Sequence, residues 1–135
     1  MVRIEKQSFE KAVEHLIATG TRQARQRVWD YIAAMPTLYF VQCGQRSRSV
    51  PWIMFLEDVP TAMVFTEYER AKQAASSIIE QNSEVRIVGL PTNAASMYIT
   101  ALAAQGVECV CFNHGPNRFD ATIDEVLLSI KSMKR

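Results

Sequence analysis

Glycine is scarce in this chain: there are five in 135 residues, dispersed along it. A Gly-rich loop that cradles phosphate through its backbone amides cannot be assembled from glycines so placed. The G-x-S-x-G elbow that presents a serine nucleophile is absent as well. Cysteine is sparse, and Cys43, Cys109 and Cys111 are odd in number and sit inside apolar runs. That usage suits a reducing compartment rather than a disulfide framework. No apolar run approaches the roughly 18 residues of a membrane span. The opening MVRIEKQSFEK has no apolar signal core. The expectation is a cytoplasmic protein with no membrane partner. An excess of one charge is also missing: 15 basic and 14 acidic side chains leave a net charge of +1. A nucleic-acid-binding domain ordinarily carries a strong basic excess with interleaved aromatics, so that class is set aside.

What is present is ordinary for a folded chain. Apolar residues at 48% and charged residues at 21% lie in the globular range. A chain of this length buries about two thirds of its unfolded surface, enough for a core without metals or disulfides. One domain, residues 1–135, is expected. Its most informative stretch is PTAMVFTEYERAKQAASSIIEQ, Pro60 to Gln81. The apolar run Ala62–Phe65 reads as a strand, and Thr66 with Glu69 has capping-box spacing. Ala71, Ala74, Ala75, Ile78 and Ile79 then recur on one helical face.

Before it, Ser8–Ala18 predicts a helix with the stripe Phe9, Ala12, Val13, Leu16 and Ile17. Thr21 caps a second helix to Met35, with the stripe Ala24, Val28, Tyr31, Ile32 and Met35, closed by Pro36. Strands follow at Thr37–Cys43 and Trp52–Leu56, the latter read as covered on both faces. After it come a strand at Val85–Gly89, a helix from Pro91–Thr92 and a strand at Val107–Phe112. The helix carries the stripe Ala94, Met97, Tyr98, Ala101 and Leu102. A turn at Asn113–Asn117 leads to a helix begun by the capping box Thr122–Glu125. The fold class predicted is α/β: a mixed five-stranded sheet, an antiparallel meander followed by right-handed strand–helix–strand crossovers, with helices packed on the sheet. Strand order one to five in sequence is the first expectation.

Ligands in such sheets bind beyond the carboxyl ends of parallel strands. A meander would make the first strand parallel to the third and bring Arg46 and Arg48 to the edge that holds Asn93, Asn113, His114, Asn117 and Arg118. That rim suits an anion or a partner's acidic side chains; the same residues are also good turn formers. Arg22, Arg25 and Trp29 share a helical face, which reads either as a contact surface or as a buried indole under arginine stems. Gly20–Val50 carries five arginines against Asp30, and Pro51–Glu69 carries four acids and no base. Such segregation describes solvated faces, or complementary surfaces for self-association or a protein partner.

Cys109-x-Cys111 with His114 lacks an evident fourth zinc ligand, and alternate strand positions point both thiols one way, as in a core. None of the three thiols occupies the helix amino terminus that activates a nucleophile. Glu57–Asp58 falls in a hairpin at the opposite edge, and Arg86 with Glu108 reads as a cross-strand ion pair on adjacent strands. No catalytic residue, metal or cofactor is predicted.

Three segments carry a family resemblance: FEKAVEHL, RQRVWDYIAAMPTLYFVQ, where a helix leads straight into a strand, and MVFTEYERAKQAA, a strand, Phe65-Thr66 and a helix. In these the chain resembles the amino-terminal domain of the bacterial SseB family, named for enhanced serine sensitivity, over about the first sixty per cent of that domain. The resemblance implies a fold class and carries over no catalytic residue. The family name is associated with rhodanese-type sulfur transfer, and the lack of a cysteine on an anion-cradling loop counts against that chemistry here. The function expected is a non-enzymatic binding or protein-interaction module. The alternative is a domain binding a small molecule or anion at the rim.

Overall fold

Two helices open the chain, α1 (Lys6–Thr19) and α2 (Arg22–Ala34), and the corner between them is written locally. Gly20 takes a left-handed φ of 64°, which costs a side-chain-bearing residue about 1–2 kcal/mol. The amide of Gly20 donates to the Leu16 carbonyl, and the Thr21 hydroxyl accepts from the Ala24 amide as the cap of α2. In the computed structural model, which describes residues 6–44, 49–78 and 84–132, these helices lead into β1 (Thr37–Cys43), β2 (Val50–Pro51), β3 (Ile53–Leu56) and β4 (Val59–Phe65). Then come α3 (Tyr68–Ile78), β5 (Val85–Pro91), α4 (Thr92–Ala104), β6 (Cys109–Phe112), β7 (Phe119–Thr122) and α5 (Ile123–Ser132).

The α/β class with a mixed sheet is as expected; the strand count, seven among the described residues rather than five with β2 and β7 unforeseen, and the strand order are not. The sheet reads β5-β1-β4-β6-β7, with β2 on the end of β1 and β3 on the start of β4. β4 and β6 are parallel, and every other pairing is antiparallel. The meander fails at Trp52. β1 and β4 pair only through Tyr39–Phe65 and Phe40–Val64 and then part. The chain descends along β1 as β2, reverses at Trp52 and returns along β4 as β3. Trp52 donates its amide to Val41 and accepts from the Met63 amide, so it sits at the fork. The run read as a strand from Trp52 is therefore β3 alone, Ile53–Leu56, with the unexpected β2 before the corner, and Phe55 on β3 is 71% exposed rather than covered. The two residues that turn β3 into β4, Glu57 and Asp58, both have positive φ, as a tight two-residue hairpin requires.

Alternation along the strands feeds two cores. Leu38, Phe40, Ala62, Val64, Val110 and Phe112 face α1, α2, α4 and α5. Val41, Met63, Phe65 and Cys111 face α3 through Ala71 and Ala75. Both faces of β4 are thus covered, and its last five residues are all buried. Ala74 is half-buried, the Ile78 side chain and Ile79 lie outside the described residues, and so does the end of the helix expected to Gln81. On α4 the buried positions are Ala95, Ser96, Ile99 and Leu102, while Met97 is 74% exposed. That helix is apolar nearly all round, so periodicity misplaces its buried face. Neither crossover joins neighbours as expected throughout: α3 carries the chain from β4 past β1 to β5, and α4 brings it back to β6 beside β4. Arg86 and Glu108 therefore stand on strands separated by β1 and β4 and form no cross-strand pair.

The end of β4 shows a second departure. The Thr66 hydroxyl, expected to cap α3 in a box with Glu69, instead accepts from Asn113 Nδ2 at 3.0 Å. The Thr66 amide donates to Asn113 Oδ1 at 3.0 Å. Asn113, 3% exposed with φ 56°, extends the parallel ladder with its side chain after its own amide has reached the Val64 carbonyl. Asparagine tolerates the left-handed conformation better than most residues. Asn113→Ala should cost about 3 kcal/mol, from an unsatisfied buried donor plus a strained backbone. Urea unfolding checks this; a loss within about 0.5 kcal/mol would show that the bidentate contact holds nothing.

Candidate functional site

The carboxyl ends of β4, β5 and β6 share one edge of the sheet, but the expected rim residues do not converge there. Because β1 runs antiparallel to β4, Gly44 and Ser49 sit at the opposite edge. Arg46 and Arg48, between them, lie outside the described residues. Asn93 stands exposed in the first turn of α4, beyond β5. His114 follows β6, three strand spacings away, or about 14 Å. Asn113 is spent on Thr66, Asn117 donates to Glu14 at 3.2 Å, and Arg118 pairs with Asp120 at 3.1 Å. A small pocket of about 210 Å³ lies between His114 and α3, lined by Arg70, Gln73 and Ser77. Its cation is already met: Arg70 is ion-paired with Glu10 of α1, and burial pulls its pKa below the ordinary value.

Arg22, Arg25 and Trp29 have different fates. Trp29 is 3% exposed and no contact surface. Its ring meets Phe119 and Phe112 edge-on, with centroids 5.2 and 5.9 Å away. Arg25 reaches across to α5 and grips Glu125 with two bonds of 2.7 Å, from Nε and Nη2. The Trp29 indole N–H donates to the same carboxylate at 2.8 Å. Arg25 also donates to the Asp120 carbonyl at 3.0 Å and lies 4.7 Å over the Phe119 ring. The positive charge in the first turns of α2, unfavourable for the helix dipole, is thereby explained at Arg25. Arg22 is left exposed, with no hydrogen-bond or ion-pair partner among the described residues.

This clamp shapes a groove of about 570 Å³ between the α1–α2 corner and the start of β7. Leu16, Ile17 and Phe119 give it apolar walls, and Arg22, Arg25 and Arg118 give it cations. Ile17, expected in the core, is 64% exposed beside it. So the two residue groups drawn from the sequence, the helical arginines and the rim, meet at Arg22, Arg25 and Arg118. Glu125 was visible only as half of a capping box. Its amide does donate to Thr122, as expected, but its carboxylate turns away to residues about a hundred positions earlier. Phe119 carried a readable signal: Phe-Asp-Ala-Thr alternates buried and exposed, as a strand should.

The charge segregation of the sequence is not kept as two patches. Glu57 and Asp58 turn at one edge of the sheet, while Glu67 and Glu69 stand at the other, after β4. Cys109 and Cys111 do share a face, on the α3 side. Burial pushes the thiols of all three cysteines above their ordinary pKa, and Asp120 adds to the effect at Cys109 and Cys111. Among the described residues no cluster of three or more His, Cys, Asp or Glu could hold a metal ion. No described helix is long and apolar enough to cross a membrane. No family model matches the chain, and no curated protein matches it.

The Arg25 hydrogen bonds hold the Glu125 carboxyl below the ordinary carboxylate pKa against the opposing effect of burial, with Trp29 helping. A depressed native pKa means that the unfolded chain takes up the proton first. The stabilisation is then complete above the ordinary value of 4.5 and fades as pH falls through the native value. Glu125→Gln should lose about 2 kcal/mol at neutral pH, with the gap to the wild type narrowing below the ordinary carboxylate pKa. Urea melts of both proteins at neutral and acid pH check it; a gap constant with pH would mean that the carboxylate's charge is not what matters.

Proposed function

We propose that this domain is a non-catalytic interaction module that receives an acidic, partly apolar segment of a protein partner in the groove between the α1–α2 corner and β7. The observation that carries the reading is the guanidinium of Arg22, without a partner among the described residues, beside exposed Ile17, over a wall whose other cations are fixed by Glu125 and Asp120. A cation next to an apolar surface is what an acidic-apolar segment requires. Fixing Arg25 and Arg118 beforehand lowers the ordering cost of binding. Arginine at such a position gives bidentate recognition of carboxylates.

Two further features support a binding role over chemistry. The thiols are held protonated by burial, which suppresses nucleophilic reactivity. The resemblance to the SseB amino-terminal domain, if it reflects descent, brings a fold and no catalytic residue. Three unpaired cysteines fit a cytoplasmic setting. The rim pocket beside His114 is the less supported alternative, because a small anion there would have to displace Glu10 from Arg70.

The test uses labelled peptides with one Leu, Ile or Phe flanked by Asp and Glu, read by fluorescence polarisation at low and high salt. Binders should weaken at least tenfold on Arg22→Glu and with rising salt, and Ile17→Ser should weaken them without salt dependence. Peptides that do not bind, or that bind Arg22→Glu as well as the wild type, would overturn the groove. Stabilisation by inorganic phosphate in a thermal-shift assay, lost on His114→Ala, would move the site to the rim pocket instead.

A further inference from the structure

The two edges of the sheet are finished differently. At β7, Ile123 donates to the Glu108 carbonyl, and the register Val110–Ala121 follows from it. By antiparallel alternation the Asp120 carbonyl then faces outward, and there it is covered by Arg25. At β5 nothing comparable is found among the described residues. β5 is seven residues long and pairs one-to-one with β1 from Thr37–Pro91 to Cys43–Val85, without a bulge. Arg86 is its one charged residue, and its proline is the last position. The usual devices that blunt an edge are lysines, bulges, internal prolines or a covering segment. Val85 is 38% exposed, and Gly89 is also exposed.

We infer that β5 pairs antiparallel with β5 of a second copy of this chain, about a two-fold axis at Ile87. The register follows from one bond. Gly44 donates its amide to the Glu84 carbonyl at 2.9 Å, which makes Gly44–Glu84 a hydrogen-bonded pair. By alternation, Arg86, Val88 and Leu90 turn their amides and carbonyls toward β1. Val85, Ile87 and Gly89 turn theirs outward. Those three positions are symmetric about Ile87, so two copies satisfy each other: Ile87 with Ile87, and Val85 with Gly89 in both directions. Arg86 then faces Val88, and Glu84 faces Leu90, so no like charges are opposed. Val85 of one copy meets Gly89 of the other. At Gly89 a Cβ would lie 2.9 Å from the Tyr39 ring, so that position stays bare and the incoming valine packs beside the tyrosine. Pro91, with no N–H to give, ends the ladder. A foreign strand could use the same edge, but the placement of charges and of the glycine is self-complementary, as a two-fold interface demands.

Sedimentation equilibrium of the full chain over a concentration series, together with residue-resolved amide exchange, tests this. A dimer is expected in which the Val85, Ile87 and Gly89 amides gain protection with concentration, while Arg86, Val88 and Leu90 are protected at all concentrations. Ile87→Pro removes an outward donor and none of the bonds to β1, and should weaken the dimer roughly 100-fold. Should that variant fail to fold, the alternating protection in the wild type still decides. A monomer at every concentration, or a dimer in which those three amides exchange as in the monomer, would overturn the inference.

Discussion

The carboxylate of Glu125 decides how two elements distant in sequence sit against each other. It takes both prongs of Arg25 and the indole N–H of Trp29, and so ties α2 to the start of α5. With only about a third of either charged side chain exposed, this geometry is worth more than a solvated surface pair. The carboxylate also stands in the first turn of α5, where the helix dipole favours a negative charge. The aromatic cluster of Trp29, Phe112 and Phe119 packs beneath it. The groove is what remains above this assembly, bounded by the α1–α2 corner. Its shape follows from a bond whose partners are a hundred residues apart.

The sheet answers to a different constraint. β4 is the strand buried on both faces, and it is shared by β1 and β3 on one side and β6 on the other. Because β3 takes the first half of that side and β1 the second, the intervening chain has to reverse at Trp52. Asn113 solves the problem that arises where β4 and β6 end together: the Thr66 amide would be buried without a partner, and a side-chain amide supplies one. The functional consequence is indirect. Asparagine at that position is a structural clamp, so the loop from His114 to Arg118 is fixed at its root, and Arg118 is delivered to the groove rather than to the rim.

Much of the fold was legible along the chain. Thr21 as a cap, Gly20 as a stop and the aromatic and β-branched content of Thr37–Cys43 are local facts, and the cap, the stop and the strand are each found where these put them. Two kinds of reading failed. Where small and apolar residues run nearly all round, as in α4, periodicity cannot say which face is buried. Where a residue has two possible partners, local spacing chooses the nearer one: Thr66 was given to Glu69 and went to Asn113, and Glu125 was given to Thr122 and gave its carboxylate to Arg25. In both cases a buried, charge-assisted or bidentate bond outcompetes an exposed local one, because desolvation raises the cost of leaving it unmade.

By itself, then, the order of residues determined the helices, most of the strands and the apolar setting of the thiols. Those depend on neighbours a few positions away, and hydrophobic periodicity records them. The tertiary structure alone decided the strand order, the corner at Trp52 and the meeting of Arg22, Arg25 and Arg118 around one groove. Each of these turns on which distant backbone or charge is nearest once the chain has folded over β4, and no spacing along the chain encodes that distance.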